Sequence, residues 1–248
     1  MNENIILFVM VGFVAQMIDG ALGMAYGVSS TTFLLSLGIS PAAASASVHT
    51  AEIFTSGISG LAHLKLGNVD QTLFKRLLIP GVLGGVLGAY ILTAVPGETL
   101  KPFIALYLLA MGLMVLWKAF RKAQESAVRT RLIPLGLIGG FLDAVGGGGW
   151  GPIVTSTLVA RGNNPRFTIG SVNLVEFFVT VAEVIAFITT IGVTNWQIIL
   201  GLIIGGALGA PLAAYVCNKL PSRALMSIVG VLITILSIRT IFLVLLSG

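Results

Sequence analysis

The stretch LDAVGGGGWGP, residues 142–152, interrupts a long apolar run with an aspartate and four consecutive glycines. Glycine readily adopts backbone conformations that end a helix, so this stretch predicts a turn inside an apolar segment. The apolar pieces on its two sides, Leu132–Leu142 and Trp150–Ala160, are about 11 residues long, roughly half the thickness of a bilayer's hydrocarbon core when helical. We therefore interpret the segment as a helical hairpin that enters the membrane and returns, with one long kinked helix as the alternative.

A related stretch, IDGALGMAYGV, occupies residues 18–28 and belongs to an internal repeat. With an offset of 124 residues, and of 125 after one extra residue, the first half of the chain aligns with the second. The alignment predicts a first repeat at residues 1–117, a linker at 118–131 and a second repeat at 132–248. Residues that recur at these offsets include the pairs Asp19 and Asp143, Gly27 and Gly151, Pro41 and Pro165, Glu52 and Glu176, Gly84 and Gly209, and Tyr90 and Tyr215.

Composition predicts a membrane protein. Hydrophobic residues make up 56% of the chain and charged residues 9%, whereas a soluble domain carries about 25% charged residues. The 31 glycines suit close packing of helices in lipid. The net charge of +5 comes from short gaps between apolar runs, so we expect no nucleic-acid partner. A single cysteine, Cys217, excludes an internal disulfide and a multi-cysteine metal site.

Each repeat contains three apolar runs long enough to cross about 30 Å of hydrocarbon. We therefore predict an all-α polytopic membrane protein in which each repeat is a broken or re-entrant helical hairpin followed by three transmembrane helices. The predicted spans are Pro41–Ala62, Gln71–Thr93, Leu100–Trp117, Pro165–Ile191, Trp196–Cys217 and Arg223–Leu246.

The charges of the gaps between these runs predict how the chain crosses the membrane. Basic gaps favour the cytoplasmic side. We place the linker on the cytoplasmic side and assume that neither hairpin crosses the membrane. Every basic gap then lies on the cytoplasmic side, and every neutral gap lies on the outer side. Equivalent gaps of the two repeats differ in charge, one basic and the other neutral, which predicts inverted-topology repeats. It also predicts that both termini lie on the outer side of the cytoplasmic membrane. Hairpins whose two halves each span fully would give the same sidedness. The basic gaps are 65–76, 118–131, 161–166 and 219–223, and the neutral gaps are 38–40, 96–101 and 192–195.

The two hairpin tips are the strongest candidates for a substrate site. The N–H groups that begin a helix, together with the helix dipole, attract an anion without a cationic side chain. Close packing of helices by small residues is the alternative explanation of the glycines. The residues of the predicted site in the tips are Gly20, Gly23, Gly146, Gly147, Gly148 and Gly149.

Polar side chains after the tips and on the following helices complete the predicted substrate site. Ser29, Ser30 and Thr155 can donate hydrogen bonds to an anion, or can bond to a carbonyl one turn earlier in their own helix. His49 and Asn173 each precede a glutamate by three residues and share a helix face with it.

Four carboxylates lie in segments that are predicted to be buried in the bilayer. Asp19 and Asp143 either cap the helix after the tip, hold the turn, or take part in proton coupling. Glu52 and Glu176 each lie 11 residues past the proline that starts a helix, roughly 16 Å into the membrane. We expect them to line the pathway and to couple transport to protons, with a buried hydrogen-bonded helix clamp as the alternative. Other polar residues that flank these two glutamates are Ser45, Thr55, Thr180 and Glu183.

The order of these motifs resembles that of the sulfite exporter TauE/SafE family of membrane transporters. A glycine-rich break, here Gly146–Pro152, precedes a proline-started helix, a short polar turn, here Gly67–Asp70, and a glycine-spaced helix, here Gly81–Ala89. The first tip has fewer glycines than is usual in the family. The resemblance implies movement of small sulfur-containing or organic anions, such as sulfite or sulfonates, across the cytoplasmic membrane.

We expect a secondary transporter that moves a small anion by alternating access between the repeats, with the bilayer, the anion and protons as its partners. An enzyme is not expected, because the sequence contains no HExxH motif and no plausible pairing of nucleophile and base. We assign no metal ligand and no cofactor, and the sequence leaves the direction of transport and the oligomeric state open. The alternatives are an anion channel on the same scaffold and a proton-coupled metal-cation transporter using Asp19, Asp143, Glu52, Glu176 and His49.

Overall fold

A computed structural model describes residues 5–22, 24–120, 130–217 and 222–247, and within these ranges the regular secondary structure is entirely helical. We call the helical segment after each tip the return segment: Tyr26–Ser36 in the first repeat and Gly151–Ala160 in the second, where a π-helical turn, Gly151–Thr155, runs directly into the helix Ser156–Ala160. The helices of the first repeat are α1 (Ile5–Leu22), α2 (Tyr26–Ser36), α3 (Pro41–Lys65), α4 (Gln71–Ala94) and α5 (Gly97–Phe120). Those of the second repeat are α6 (Leu132–Gly146), α7 (Ser156–Ala160), α8 (Pro165–Thr190), α9 (Trp196–Cys217) and α10 (Ser222–Ser247).

The predicted all-α polytopic membrane fold is confirmed. The six predicted spans correspond to α3, α4, α5, α8, α9 and α10. Within the described ranges, four helices are long and apolar enough to cross a membrane by their own composition: Gln71–Ala94, Gly97–Phe120, Pro165–Thr190 and Met226–Leu246. Helix α3 is not among them, because it carries many of the polar residues that the bundle buries.

Each repeat begins with two short helical segments separated by a break, at the places that the glycine-rich stretches predict. The breaks are narrower than predicted, because α1 and α6 each continue three residues past the aspartate. Asp19 and Asp143 therefore lie in the last turns of helices. Helix α6 ends where Gly147 takes the left-handed conformation, with φ +65°, since the amides of Gly147 and Gly148 then both donate to the carbonyl of Asp143. Gly23 of the first tip lies outside the described residues.

The main helix pairs each combine a helix of one repeat with a helix of the other. Helix α1 packs along α9, and its counterpart α6 packs along α4, which is the counterpart of α9. Helix α3 packs on its own counterpart α8, and α5 packs on α10. Every one of these pairs takes one helix from each repeat, which is the pattern of two units related by a pseudo-two-fold axis.

The equivalent helices α3 and α8 run in opposite directions. At one end, the Arg166 side chain at the start of α8 donates to Asn68 Oδ1 at 2.5 Å, just past the end of α3. At the other end, one groove is lined by Ser40, which precedes α3, and by Asn195, which follows α8. Antiparallel packing of equivalent helices is what inverted-topology repeats require, and their orientation in the membrane stays a prediction.

The basic gaps between the helices lie at one end of the bundle, and neutral gaps lie at the other end. Lys75 and Arg131 line one groove, and Asp70 and Asn164 line another. These residues come from the gaps that the charge pattern places in the cytoplasm, or lie next to them. The neutral gaps of the two repeats meet at the opposite end, in the groove beside Ser40.

A basic side chain from each repeat holds the return segment of the other repeat. Lys118 Nζ donates to the carbonyl of Pro152 at 3.1 Å, and Arg239 Nη1 donates to the carbonyl of Ser36 at 2.5 Å. Lys118 falls in the linker by the sequence alignment, but α5 continues to Phe120 and carries it. Residues 121–129 of the predicted linker lie outside the described residues.

Cysteine accessibility tests the predicted sidedness of the two ends. In a Cys217→Ser background, we expect Ser40→Cys to react with a membrane-impermeant maleimide in intact cells. We expect Asn164→Cys to react only after the membrane is permeabilised. Labelling of both positions from the same side would contradict the antiparallel arrangement, and the reverse pattern would invert the predicted topology.

Equivalent glycines in α4 and α9 provide a matched test of helix packing. A Cβ at Gly81 would lie 2.6 Å from Trp150 Cη2, whereas a Cβ at Gly206 would meet its nearest atom, Thr55 Cγ2, at 3.6 Å. We expect Gly81→Ala to lower the free energy of unfolding by about 1–3 kcal/mol through overpacking. Gly206→Ala should instead stabilise the protein by about 0.5–1 kcal/mol, because alanine favours a helix interior. Thermal unfolding in detergent measures both, and equal effects would contradict the packing asymmetry.

Candidate functional site

The carboxylate of Asp143 caps the segment that follows the second tip. Its Oδ1 accepts hydrogen bonds from the amides of Gly149 at 2.6 Å and Trp150 at 2.9 Å, and the residue is only 1% exposed. In the first repeat, Asp19 Oδ1 accepts from the amide of Tyr26 at 3.3 Å. Both aspartates therefore satisfy amide groups that a helix start leaves without an intrahelical partner. This is the capping arrangement that the sequence offered as one alternative.

The second tip packs directly against the first return helix. A Cβ on Gly148 would clash with the backbone of Gly27 and Val28, so the two chains approach as closely as backbone allows. Thr31 Oγ1 donates to the carbonyl of Gly147 at 2.5 Å. The second tip and the first return helix therefore form a direct contact between the two hairpins. In this conformation Gly147 and Gly148 face protein, which is the close-packing alternative for the glycine run.

The other two glycines of the run face a tyrosine of α5. A Cβ at either Gly146 or Gly149 would overlap with Tyr107, whose hydroxyl donates to the carbonyl of Gly148 at 3.2 Å. Gly20 lies in the last turn of α1, one residue past its aspartate. The tip backbone becomes accessible to a ligand only where the hairpins and Tyr107 move apart.

A buried histidine joins the second tip to α8. His49 is 0% exposed, and its Nε2 lies 3.0 Å from Glu183 Oε2 and 3.7 Å from Asp143 Oδ2. Its Nδ1 lies 2.8 Å from the carbonyl oxygen of Ser45, whose own hydroxyl donates to the carbonyl of Ala144 at 2.6 Å. The donor atoms of the three titratable side chains lie within 4.8 Å of one another, close enough to share one small cation. We call His49, Asp143 and Glu183 the buried triad.

The equivalent place in the other repeat holds a neutral pair. His49 corresponds to Asn173, and Glu183 corresponds to Ser59, both at the repeat offset of 124. Asn173 Nδ2 donates to Ser59 Oγ at 2.8 Å. The same contact between α3 and α8 therefore occurs twice, once between ionisable groups and once between an amide and a hydroxyl.

The remaining predicted carboxylates lie around the triad. Glu52 is 6% exposed and interacts electrostatically with His49, Asp19 and the triad carboxylates. Glu176 interacts electrostatically with Glu52 and with the same groups on α1, α3 and α6. The structure thus brings together five carboxylates, and within this set His49 is the only base. One Glu52 oxygen, Oε2, is buried without a hydrogen-bond partner.

Hydroxyl groups on the return segments divide into two kinds. Thr31 and Thr32 donate to backbone carbonyls, Thr32 to its own helix at 2.6 Å. Ser29, Ser30 and Thr155 are buried, and their hydroxyl oxygens have no hydrogen-bond partner. These three are therefore the hydroxyls of this group that remain available to a ligand.

Glu183 joins the site although the sequence analysis did not assign it. It follows Glu176 by seven residues, which places both on one face of α8 two turns apart. That spacing is the signal that could have identified it. The repeat alignment directed attention to acids present in both copies, and Ser59 at the equivalent position is not acidic.

A bundle of apolar helices around two broken hairpins and a buried polar centre is the architecture of a membrane transporter. Comparison with known proteins agrees with this class. The family model described as "Sulfite exporter TauE/SafE" matches residues 8–240. The chain belongs to the sulfite exporter TauE/SafE family, as its motifs predict, and it is a multi-pass membrane protein.

Curated relatives come from Bacillus subtilis (strain 168). The chain is 43% identical to the protein named "Probable membrane transporter protein YtnM", over 96% of this chain and 83% of the relative. It is 25% identical to "Probable membrane transporter protein YdhB", over 90% of this chain and 91% of the relative. It is 20% identical to "Probable membrane transporter protein YunE", over 96% and 98%. No solved structure gives a significant match.

Removal of each capping carboxylate tests how much the two tips depend on them. We expect Asp143→Ala to lower the free energy of unfolding by about 1–3 kcal/mol, because two buried amides lose a charged acceptor. Asp19→Ala should cost less, since its single hydrogen bond at 3.3 Å is longer. Thermal unfolding in detergent compares the two variants. A larger loss for Asp19→Ala would contradict this assignment of the caps.

Proposed function

We propose that the protein is a secondary transporter of small anions, of the class of sulfite and sulfonates, in the cytoplasmic membrane. The observation that carries this proposal is the set of buried, unpartnered hydroxyls of Ser29, Ser30 and Thr155 on the two return segments. A buried polar group without a partner costs free energy unless a ligand satisfies it. The family description names sulfite as the exported substance, which supports the same class of substrate.

The chemistry of the proposed site suits an oxyanion. Oxyanion oxygens accept hydrogen bonds, and hydroxyls and helix-start amides donate them. The amides of Gly149 and Trp150 are already occupied by Asp143, so the hydroxyls are the donors that an anion meets first. Separation of the two hairpins would add the tip backbone, including Gly146 and Gly147, to the site.

The buried carboxylates explain why protons would accompany the anion. Like charges repel strongly in a medium of low dielectric constant, so an ionised Glu52 or Glu176 opposes entry of an anion. Protonation removes that repulsion and converts a carboxylate into a hydrogen-bond donor. We therefore propose that Asp19, Glu52, Asp143 and Glu176 line the pathway and favour movement of the anion together with protons.

Alternating access is proposed from the way the repeats meet. The hairpins contact each other at Gly148 and Gly27, and each repeat supplies one helix to every major packing pair. Rocking of one repeat against the other would open this contact towards one side of the membrane at a time. A transporter of this kind needs no catalytic residue, and we propose no enzymatic activity.

Flux into proteoliposomes tests the proposal. We expect saturable uptake of radiolabelled sulfite by the wild-type protein. Thr155→Val should raise the KM about tenfold, because a hydrogen bond to a charged ligand contributes about 1.5 kcal/mol. Thr32→Val is the matched control, since the Thr32 hydroxyl donates within its own helix and its loss should leave the KM close to the wild-type value.

The other outcomes of this experiment discriminate between the alternatives. Uptake that rises linearly with sulfite concentration would replace the transporter by an anion channel. Absence of uptake of sulfite and of methanesulfonate, together with uptake of a divalent metal ion, would replace it by a cation transporter. An equal rise of KM in Thr155→Val and Thr32→Val would remove Thr155 from the site.

A further inference from the structure

We propose that the buried triad of His49, Asp143 and Glu183 is the one proton-binding site that couples proton movement to transport, and that it locks the second hairpin to α3 and α8. This inference rests on the proposed function, in which protons accompany the anion, and adds to it the site that holds the coupled proton. It assigns a role to Glu183, which the sequence analysis left unassigned.

Close contacts between hydrogen-bond acceptors indicate a proton in the triad, since Nε2 of His49 and both carboxylate oxygens of Glu183 lie buried without a hydrogen-bond partner. A backbone carbonyl can only accept, so the 2.8 Å contact with Ser45 means that Nδ1 carries a hydrogen. Nε2 then faces the carboxylates of Glu183 and Asp143, and ionised carboxylates also only accept. The 3.0 Å contact between Nε2 and Glu183 therefore needs one more proton, located on Nε2 or on the carboxyl group.

Loss of that proton would separate the second hairpin from α8. Without it, two carboxylates and the lone pair of Nε2 face one another in a buried site, and all of these groups repel. Glu183 has little room to retreat, because a Cβ at Gly85 of α4 would already clash with its Oε1. Asp143 is the other carboxylate that faces His49, and its second oxygen accepts from the amides of Gly149 and Trp150, so repulsion at Asp143 acts on the tip. Deprotonation is thus transmitted to the hairpin tip.

The repeat-related position contains no equivalent proton site. Asn173 and Ser59 form the neutral counterpart of the contact between His49 and Glu183, and neither side chain titrates. Asp19 occupies the position equivalent to Asp143 but meets no histidine from the other repeat. Of the two repeat-related contacts between α3 and α8, one is therefore protonatable and the other is neutral, so we infer one coupled proton per chain.

The carboxylates around the triad, Asp19, Glu52 and Glu176, favour its protonated form, whereas a nearby cation would oppose it. Helix α4, which packs on α6 and α8, carries Lys75 and Arg76 near its start, at the charged end of the bundle. An anion that enters the site adds further negative charge, so anion binding and proton binding strengthen each other. The titratable groups that face the triad or its neighbours are Asp19 of α1, Tyr26 of α2, Glu52 of α3, Tyr107 of α5 and Glu176 of α8.

The double variant His49→Asn with Glu183→Ser tests the site, because it installs the neutral pair that the other repeat already uses. In proteoliposomes with an inwardly directed proton gradient of one pH unit, we expect the wild-type protein to accumulate radiolabelled sulfite to about tenfold its external concentration, as symport of one proton per monovalent anion allows, and protein-free liposomes to show no such accumulation. The double variant should lose this accumulation, and its sulfite exchange at equal pH, measured in parallel, separates loss of coupling from loss of anion binding. Ser59→Ala is the matched control, and it should accumulate sulfite as the wild type does.

Each failure has a distinct meaning in this experiment. Absence of sulfite exchange in the wild-type protein would overturn the proposed substrate class. Exchange in the wild type combined with full accumulation in the double variant would overturn the triad as the coupling site and leave the proposed function standing. If the double variant does not purify as a monodisperse protein, Glu183→Gln removes the charge while keeping the side chain's shape.

A second readout does not depend on the substrate. Because the folded triad holds a proton, we expect the Tm of the wild-type protein to fall as pH rises, and the Tm of the double variant to depend less on pH. Identical pH profiles would overturn the proposal. Stabilisation of the wild type by Zn²⁺, absent from the double variant, would assign the site to a metal ion and also overturn it.

Discussion

A helix that breaks inside a bilayer exposes amide and carbonyl groups that no water can satisfy, and this constraint organises the centre of the protein. In the second hairpin Asp143 satisfies two of these amide groups, since one of its carboxylate oxygens accepts hydrogen bonds from the amides of Gly149 and Trp150. The other oxygen is thereby held deep in the bundle, where it faces His49. The buried charge, the histidine that approaches it and the glutamate beyond that histidine all follow from closing the break with a carboxylate.

The repeats share their backbone architecture and differ in their chemistry. Every major packing pair combines one helix from each repeat, and the equivalent helices α3 and α8 run antiparallel. At equivalent places on this scaffold, a histidine meets a glutamate in one copy and an amide meets a hydroxyl in the other. Similarly, Trp150 fills the space beside Gly81, whereas Gly206 in the equivalent position has room for a methyl group. Duplication supplies the fold, and substitution after duplication supplies an asymmetric centre.

Features that depend on neighbouring residues were predictable from the sequence. Run length and charge pattern predict the six spans, and Asp143 with the following glycines predicts a break. The extent of the break was predicted less well, because a left-handed Gly147 lets α6 continue three residues past Asp143. The sequence did not identify Glu183 as a site residue, since its partner His49 lies on a different helix, in the other repeat. The glycine run alone leaves a substrate site and close helix packing as alternatives, and in this conformation Gly148 faces the backbone of Gly27.

The sequence by itself determined that this is a duplicated, all-α membrane protein with an interrupted helix in each copy, because hydropathy, glycine placement and internal alignment are properties of the chain alone. It also determined membership of the sulfite exporter TauE/SafE family. Only the tertiary structure decided which polar groups meet, because the packing of α3 against α8 and α6 brings His49, Asp143 and Glu183 together. Those contacts join residues far apart in the chain, and no local pattern encodes the distance between them.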